Sequence, residues 1–149
     1  NDARVCNPDD INDLTICMKK LREFHSLMLK VEHDFDIYKQ IEFYESLWDG
    51  NASIYRDYEE TKKKVYMLKK YIDACEKEKC LVHIDAVPDN FLFVKDESQK
   101  EEVRLIDWEY SGMQDPHVDI AMFCIYSLYD RQQIDRLIDI YFENKCSNI

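Results

Sequence analysis

Two short stretches decide how this sequence is read: His83-Ile84-Asp85-Ala86-Val87-Pro88-Asp89-Asn90 and, further along, Leu105-Ile106-Asp107-Trp108-Glu109. Asp85 is placed to orient a hydroxyl group and to receive its proton, if it projects from a rigid loop. Asn90 offers an amide oxygen and Asp107 a carboxylate oxygen, and hard oxygen donors of this kind suit magnesium. The spacing therefore predicts one site in which a base lies beside a magnesium ion.

Short apolar runs surround these polar residues. They lie at 81–82, 91–94 and 103–106, where their length and composition predict buried strands. The polar residues 95–102 predict a hairpin turn between the last two strands. We therefore expect Asn90 and Asp107 at the ends of neighbouring strands.

The order of these residues resembles that of kinases. Protein kinases carry H-x-D-x-x-x-x-N in the catalytic loop and a metal-binding Asp after a later strand. Residues 82–92 and 107–121 more closely resemble the choline/ethanolamine kinase family, above all its bacterial members, within the aminoglycoside-phosphotransferase and protein-kinase-like superfamily. Ile84 stands where protein kinases have Arg, and Glu109 stands where they have Gly. Both departures favour kinases of small molecules.

The resemblance assigns roles to the matching residues. It implies that Asp85 is the catalytic base and that His83 belongs to the catalytic set by bracing its loop. It implies that Asn90 and Asp107 hold magnesium, with Glu109 assisting at the metal or the acceptor.

Three further residues complete the predicted site. The resemblance implies that Asp119 supports the catalytic loop. Tyr110 and Tyr126 are the tyrosines nearest to the motifs in sequence, and the ring face of either one is suited to a quaternary ammonium group. We therefore expect one of them to bind the acceptor.

The resemblance implies an α+β fold class that is mostly α: a protein-kinase-like C-terminal lobe, with helices around short strands that carry both loops. Helical periodicity places one helix after Asn7 and others near 34–48, 53–79, 118–129 and 132–142. We expect a single domain over residues 1–149. The sequence has two glycines, hence no glycine-rich phosphate loop, and no strand lysine precedes the motif. We therefore expect a nucleotide-binding lobe upstream, a truncated C-terminus, and ATP held mainly by the missing lobe.

Composition narrows the choice of partners. The net charge of −11 disfavours nucleic acid, and it is compatible with a cationic acceptor such as choline. No apolar run approaches membrane-spanning length, so no membrane partner is expected. The six cysteines show neither disulfide nor zinc spacing, which favours free thiols and a cytoplasmic protein.

The same residues are compatible with other acceptors and with another class of protein. Ethanolamine, an aminoglycoside or a sugar could replace choline as the acceptor. A non-catalytic interaction module that keeps the kinase-like fold is a reading of another class. If the chain acts without its other lobe, the surface that meets that lobe is expected to be apolar and to favour self-association.

Overall fold

The computed structural model describes residues 3–75 and 78–143. Its elements are, in order, β1 (Arg4–Val5), α1 (Ile11–Ser26), α2 (Ile37–Ser46), α3 (Tyr58–Ala74), β2 (Cys80–Val82), β3 (Phe91–Lys95), β4 (Glu101–Leu105), β5 (Gly112–Gln114), α4 (His117–Tyr126) and α5 (Arg131–Tyr141). Helices combined with small antiparallel sheets confirm the predicted α+β class.

The chain divides into two compact units. The first comprises residues 1–35 and 79–149, and the second comprises residues 36–78. The expectation of a single domain over residues 1–149 stays a prediction.

Two antiparallel sheets organise the first unit. One has the strand order β1-β3-β4, and the other pairs β2 with β5. In the first sheet Phe91 lies opposite Leu105 and Lys95 opposite Glu101, so the predicted hairpin is confirmed. The strands β1 and β5 were not predicted, because they have only two and three residues and no alternating pattern.

The core of the first unit lies between the three-stranded sheet β1-β3-β4 and the helices α1, α4 and α5. Phe91 and Phe93 on β3 are almost fully buried, and the ring of Phe91 meets that of Phe123 on α4 at 5.8 Å. Met18 and Leu21 complete the contact from α1. Apolar burial of this kind is the main stabilising force of the fold, and it fixes the frame on which the polar loops lie.

The first helix begins at Ile11, later than the start with Asn7 as its cap that an Asx residue followed by Pro8 predicts. Its cap is Asp10, whose side chain accepts the backbone N–H of Asn12. Asn7 caps the preceding turn instead, because its Oδ1 accepts the N–H of Asp9 at 3.1 Å. Helical spacing predicts an apolar stripe of Leu14, Met18, Leu21, Phe24 and Met28, and the structure buries the first three and adds Cys17 to the buried face.

An ion pair between the partly exposed Arg4 and the buried Asp13 ties β1 to α1. Arg4 donates to Asp13 Oδ1 at 2.9 Å, and the backbone N–H of Asn7 donates to Asp13 Oδ2 at 2.9 Å. Burial by itself would raise the pKa of Asp13, but the hydrogen bonds from Arg4 and Asn7 outweigh it and the pKa is lowered. Arg4 also lies 4.1 Å from the ring centroid of Phe93, which adds a cation–π contact.

Gly112 allows the chain before α2 to cross β5. A Cβ atom there would lie 3.0 Å from the ring of His33 and 3.2 Å from Phe35 Cβ. This close approach lets Met113 donate its N–H to His33 O and accept from Phe35 N–H. A side chain at position 112 would force these two strands of chain apart.

The second unit contains α2 and α3. Asp36 caps α2 by accepting the N–H groups of Tyr38 and Lys39. Lys62 on α3 donates to Glu45 on α2 at 2.6 Å, and this hydrogen bond lowers the pKa of Glu45. Both helices are shorter than predicted.

Helical spacing predicts an inward face for α3 with Tyr58, Val65, Leu68, Ile72 and Cys75, and the structure does not bury this face. None of its residues is buried, and Leu68 and Ile72, which the pattern placed inward, are 57% and 40% exposed. The apolar spacing indicated a helix correctly, but periodicity does not reveal whether a partner covers the apolar side.

Across the described residues, no helix combines the length and apolar character needed to span a bilayer.

Candidate active site

Asn90 fastens the loop that carries Asp85. Its side-chain Nδ2 donates to the backbone carbonyl of Asp85 at 2.8 Å and to Asp85 Oδ2 at 3.1 Å. Pro88 begins a single 3-10 turn that ends at Asn90, so the turn brings the amide back to the carboxylate five residues earlier. Asp85 therefore has a fixed backbone and a fixed side-chain orientation.

The same residue joins the loop to the second motif. Ile106 donates its backbone N–H to Asn90 O at 3.0 Å, continuing the pairing of β3 with β4. Asp107 follows directly, at φ 65°, a left-handed conformation that aspartate tolerates better than most residues. The expectation that Asn90 and Asp107 lie at the ends of neighbouring strands is confirmed.

His83 is buried beneath the two loops. It is fully buried, and its Nε2 lies 2.8 Å from Ile106 O. A carbonyl oxygen can only accept, so Nε2 carries the proton. The side chain of Trp108 packs edge-on against the imidazole, with ring centroids 4.6 Å apart. His83 thus connects the catalytic loop to the residue before Asp107, and this geometry fits a positioning residue.

Asp119 holds the backbone of the catalytic loop. Its two carboxylate oxygens accept the N–H groups of His83 at 2.9 Å and Ile84 at 2.7 Å. Asp119 is fully buried at the start of α4. Asp119 therefore stabilises the backbone of the catalytic loop at the two residues before Asp85, which fits the supporting role that the resemblance implies.

His25 and Tyr141 extend this support in a way the sequence did not reveal. His25 Nε2 lies 3.0 Å from Asp119 Oδ2, and its Nδ1 lies 2.8 Å from the Tyr141 hydroxyl. All three side chains are buried, and burial raises the pKa of Tyr141 to about 12. The sequence alone indicates only a structural role for His25, beside Phe24 on the first helix. No local pattern could link it to an aspartate 94 residues later.

The remaining predicted residues lie at the surface. Glu109 and Tyr110 are exposed in the turn after Asp107, where Ser111 N–H closes a hydrogen bond to Trp108 O at 3.1 Å. Tyr126 is at the end of α4, and its hydroxyl donates to Asp89 Oδ2 at 2.7 Å. The Asp89 contact raises the pKa of Tyr126, and sequence reasoning missed Asp89 entirely.

The available donors fit a magnesium ion. Because Asn90 Nδ2 is directed to Asp85, its Oδ1 is the atom left for a metal, and Asp107 and Glu109 present exposed carboxylates. Within residues 3–75 and 78–143, no three His, Cys, Asp or Glu side chains are gathered as a metal site. Magnesium does not require such a set, since it usually keeps several waters and phosphate oxygens.

Comparisons with known proteins point to one family. The sequence model for choline/ethanolamine kinase matches residues 3–144. Protein LicA of Haemophilus influenzae is 26% identical over 130 residues, which cover 86% of this chain and 46% of the relative. The crystal structure of choline kinase LicA from Streptococcus pneumoniae superimposes with a TM-score of 0.80 at 27% identity, covering 95% of this chain and 49% of that one.

A structure of LicA in complex with AMP gives a TM-score of 0.79 at 27% identity and covers 95% of this chain and 48% of that one. The chain thus spans about half the length of the relatives it matches. The similarity confirms the expected choline kinase-like fold, and the family match extends over nearly all residues. The chain belongs to the choline/ethanolamine kinase family.

Proposed function

We propose that the complete protein transfers the γ-phosphate of ATP to the hydroxyl of choline or a similar amino alcohol. One observation carries this proposal. Asn90 holds the Asp85 carboxylate with its side chain while its backbone pairs with Ile106, the residue before Asp107. One residue therefore holds the base and the oxygen donors for magnesium in a fixed relative position. Phosphoryl transfer depends on such positioning.

Asp85 is the proposed base. Its carboxylate accepts the proton of the acceptor hydroxyl as the oxygen bonds to the γ-phosphorus and the bond to the ADP oxygen breaks. The hydrogen bond from Asn90 occupies Oδ2 and leaves Oδ1 to face the acceptor. Little covalent chemistry is left to the protein in this reaction, so its main contribution is positioning.

Asn90, Asp107 and Glu109 are the residues proposed to hold magnesium. When bound, the ion neutralises charge on the phosphates. The left-handed backbone at Asp107 departs from the extended conformation of β4, and the Asn90–Ile106 hydrogen bond fixes where that turn begins. Asn90 adds a donor oxygen without adding a second charge beside Asp85.

His83 and Asp119 position these groups. His83 donates to Ile106 O, and Asp119 accepts two backbone N–H groups of the loop. Both are buried, so neither contacts the reacting atoms. Their proposed function is to keep Asp85 and Asp107 in one fixed relation.

The acceptor is proposed from family membership and from the LicA relatives named as choline kinase. Tyr110 and Tyr126 are 44% and 55% exposed, so each can offer a ring face to a quaternary ammonium group. An aminoglycoside or a sugar is the alternative acceptor within the superfamily. A non-catalytic module is less favoured, because the hydrogen bonds that place Asp85, Asn90 and Asp119 are all formed.

The nucleotide is proposed to bind mainly through another part of the complete protein. A relative forms a complex with AMP, and this chain spans about half of that relative. The two glycines and the absence of a strand lysine before the motif leave no loop that could cover the phosphates. ATP dependence and free thiols suit a cytoplasmic enzyme.

The proposal is tested by incubating the purified complete enzyme with ATP and magnesium and with choline, ethanolamine, an aminoglycoside or glucose in turn. Phosphorus NMR would identify the product. We expect phosphocholine to form with the highest kcat/KM. Phosphorylation of the aminoglycoside or glucose with choline untouched would reject the choline assignment. Absence of transfer to every acceptor would support the non-catalytic reading.

A further inference from the structure

A carboxylate that the kinase motif leaves unassigned lies beside the proposed base. Asp89 is exposed in the 3-10 turn before Asn90, and its Oδ2 accepts the hydroxyl of Tyr126 at 2.7 Å. The turn directs successive side chains differently: Asn90 is buried and reaches back to Asp85, whereas Asp89 is exposed and meets α4. The Tyr126 hydroxyl therefore orients the carboxylate of Asp89 near the catalytic loop.

Asp85 and Asp89 lie four residues apart in the same loop, which Asn90 closes by donating to Asp85. Tyr126 contacts this loop through Asp89, and that hydrogen bond raises the pKa of Tyr126. The tyrosine hydroxyl binds one oxygen of Asp89, and a carboxylate has further acceptor capacity and its full charge to offer.

The chemistry of the acceptor explains why this placement matters. In choline, only two carbon atoms separate the hydroxyl oxygen from the quaternary nitrogen. When the hydroxyl reaches Asp85, the cationic group must lie close by. A quaternary ammonium donates no conventional hydrogen bond, so the site can recognise it only by negative charge and by aromatic faces.

We propose that Asp89, oriented by Tyr126, selects a cationic acceptor at this site. Asp89 supplies negative charge, and Tyr126 supplies both the hydrogen bond that directs it and an exposed ring. The inference rests on the proposed function, since it assumes that Asp85 receives the acceptor hydroxyl. It adds a residue that distinguishes a cation from a neutral alcohol of the same shape.

The experiment compares choline with 3,3-dimethylbutan-1-ol, in which carbon replaces the charged nitrogen. The complete enzyme is assayed with each alcohol, and the ratio of the two kcat/KM values measures recognition of charge alone. We expect the wild type to prefer choline, and Asp89→Asn to lower the ratio about tenfold, the effect of losing roughly one charge contact. Asp89→Glu should retain most of the preference.

Two further variants separate recognition from folding. Tyr126→Phe keeps the ring but removes the hydroxyl, and we expect a smaller loss in the same ratio. This variant tests the pair from α4 even if Asp89→Asn fails to fold. Glu97→Gln removes one charge from the exposed turn between β3 and β4, and it should leave the ratio unchanged.

The outcomes are distinct. An Asp89→Asn enzyme with the wild-type ratio, or with equal losses for both alcohols, would overturn the inference and reduce Asp89 to a structural residue. An unchanged ratio in Tyr126→Phe would overturn the orienting role of the tyrosine. Failure of the wild type to phosphorylate choline would instead reject the proposed function, on which the inference depends.

Discussion

Asp119 accepts the backbone N–H of Ile84 at 2.7 Å, and Ile84 lies in the left-handed region at φ 72°. A β-branched residue in this region is strained by about 1–3 kcal/mol. The buried carboxylate compensates by binding the N–H that the turn exposes. The strained turn immediately precedes Asp85, so the orientation of the proposed base depends on Asp119.

We expect Asp119→Asn to lower kcat about a hundredfold while changing KM much less, because a small displacement of Asp85 affects the transition state most. An asparagine offers one acceptor oxygen in place of two, so one of the two loop N–H groups loses its partner. Steady-state kinetics of the complete enzyme would measure the change. Asp139→Asn, an exposed substitution on α5, serves as the matched control.

A less disruptive variant, Tyr141→Phe, tests the same support if Asp119→Asn fails to fold. Tyr141→Phe keeps the buried ring but removes the hydroxyl that binds His25. It should reduce kcat by a few fold and the free energy of unfolding by about 1 kcal/mol. If Asp119→Asn folded and retained full kcat, the positioning role would be wrong.

The pair Arg4 and Asp13 predicts a pH dependence of stability. The folded pKa of Asp13 is lowered, so its contribution is present above the unfolded pKa near 3.8 and is lost as pH falls through the folded value. We expect Asp13→Asn to reduce the free energy of unfolding by about 1–2 kcal/mol at pH 7, after allowing for the partly exposed Arg4.

Urea titrations of both proteins at several pH values would check this. The difference between wild type and Asp13→Asn should narrow below about pH 4. A difference that stayed constant down to pH 2 would contradict the lowered pKa of Asp13.

Magnesium dependence tests the second motif. Asp107→Asn removes a charged ligand but keeps an oxygen, so we expect the magnesium concentration for half-maximal activity to rise about tenfold or more. Activity would be titrated with magnesium at fixed ATP. Glu102→Gln, an exposed change on β4, is the control, and an identical titration for Asp107→Asn and the control would remove Asp107 from the metal site.

The frame of the site could be predicted because its signals are local. The apolar runs at 81–82, 91–94 and 103–106 correspond to β2, β3 and β4 within one or two residues. The strand pattern likewise indicated that Asn90 and Asp107 would lie at the ends of paired strands. Strand length, apolar content and loop spacing are properties of short segments, so a sequence displays them directly.

Contacts between distant segments could not be predicted in this way. His25 meets Asp119, and Asp89 meets Tyr126, through the packing of α1 and the catalytic loop against the helices that follow. The predicted burial of the apolar side of α3 is wrong for a related reason. Periodicity shows which side of a helix is apolar, but it does not show what covers that side. Both cases depend on tertiary packing, which no single segment encodes.

We expect the 149-residue chain to show no sustained phosphate transfer without the rest of its protein. Nothing in its sequence matches a glycine-rich loop or a nucleotide-pairing lysine, so ATP would be poorly positioned. The chain would be incubated with ATP, magnesium and choline, and phosphocholine would be followed. Sedimentation would reveal self-association. Turnover at a normal kinase rate would show that the chain itself binds the nucleotide productively.

The most direct test of the account is the rate of the chemical step in Asp85→Asn. This variant keeps the shape of the side chain but removes its ability to accept a proton. In single-turnover experiments on the complete enzyme with ATP, magnesium and choline, we predict a rate lower by about 10²–10⁴-fold, with choline binding changed much less. Phosphocholine formation at close to the wild-type rate would contradict the assignment of Asp85 as the base, and with it the central claim.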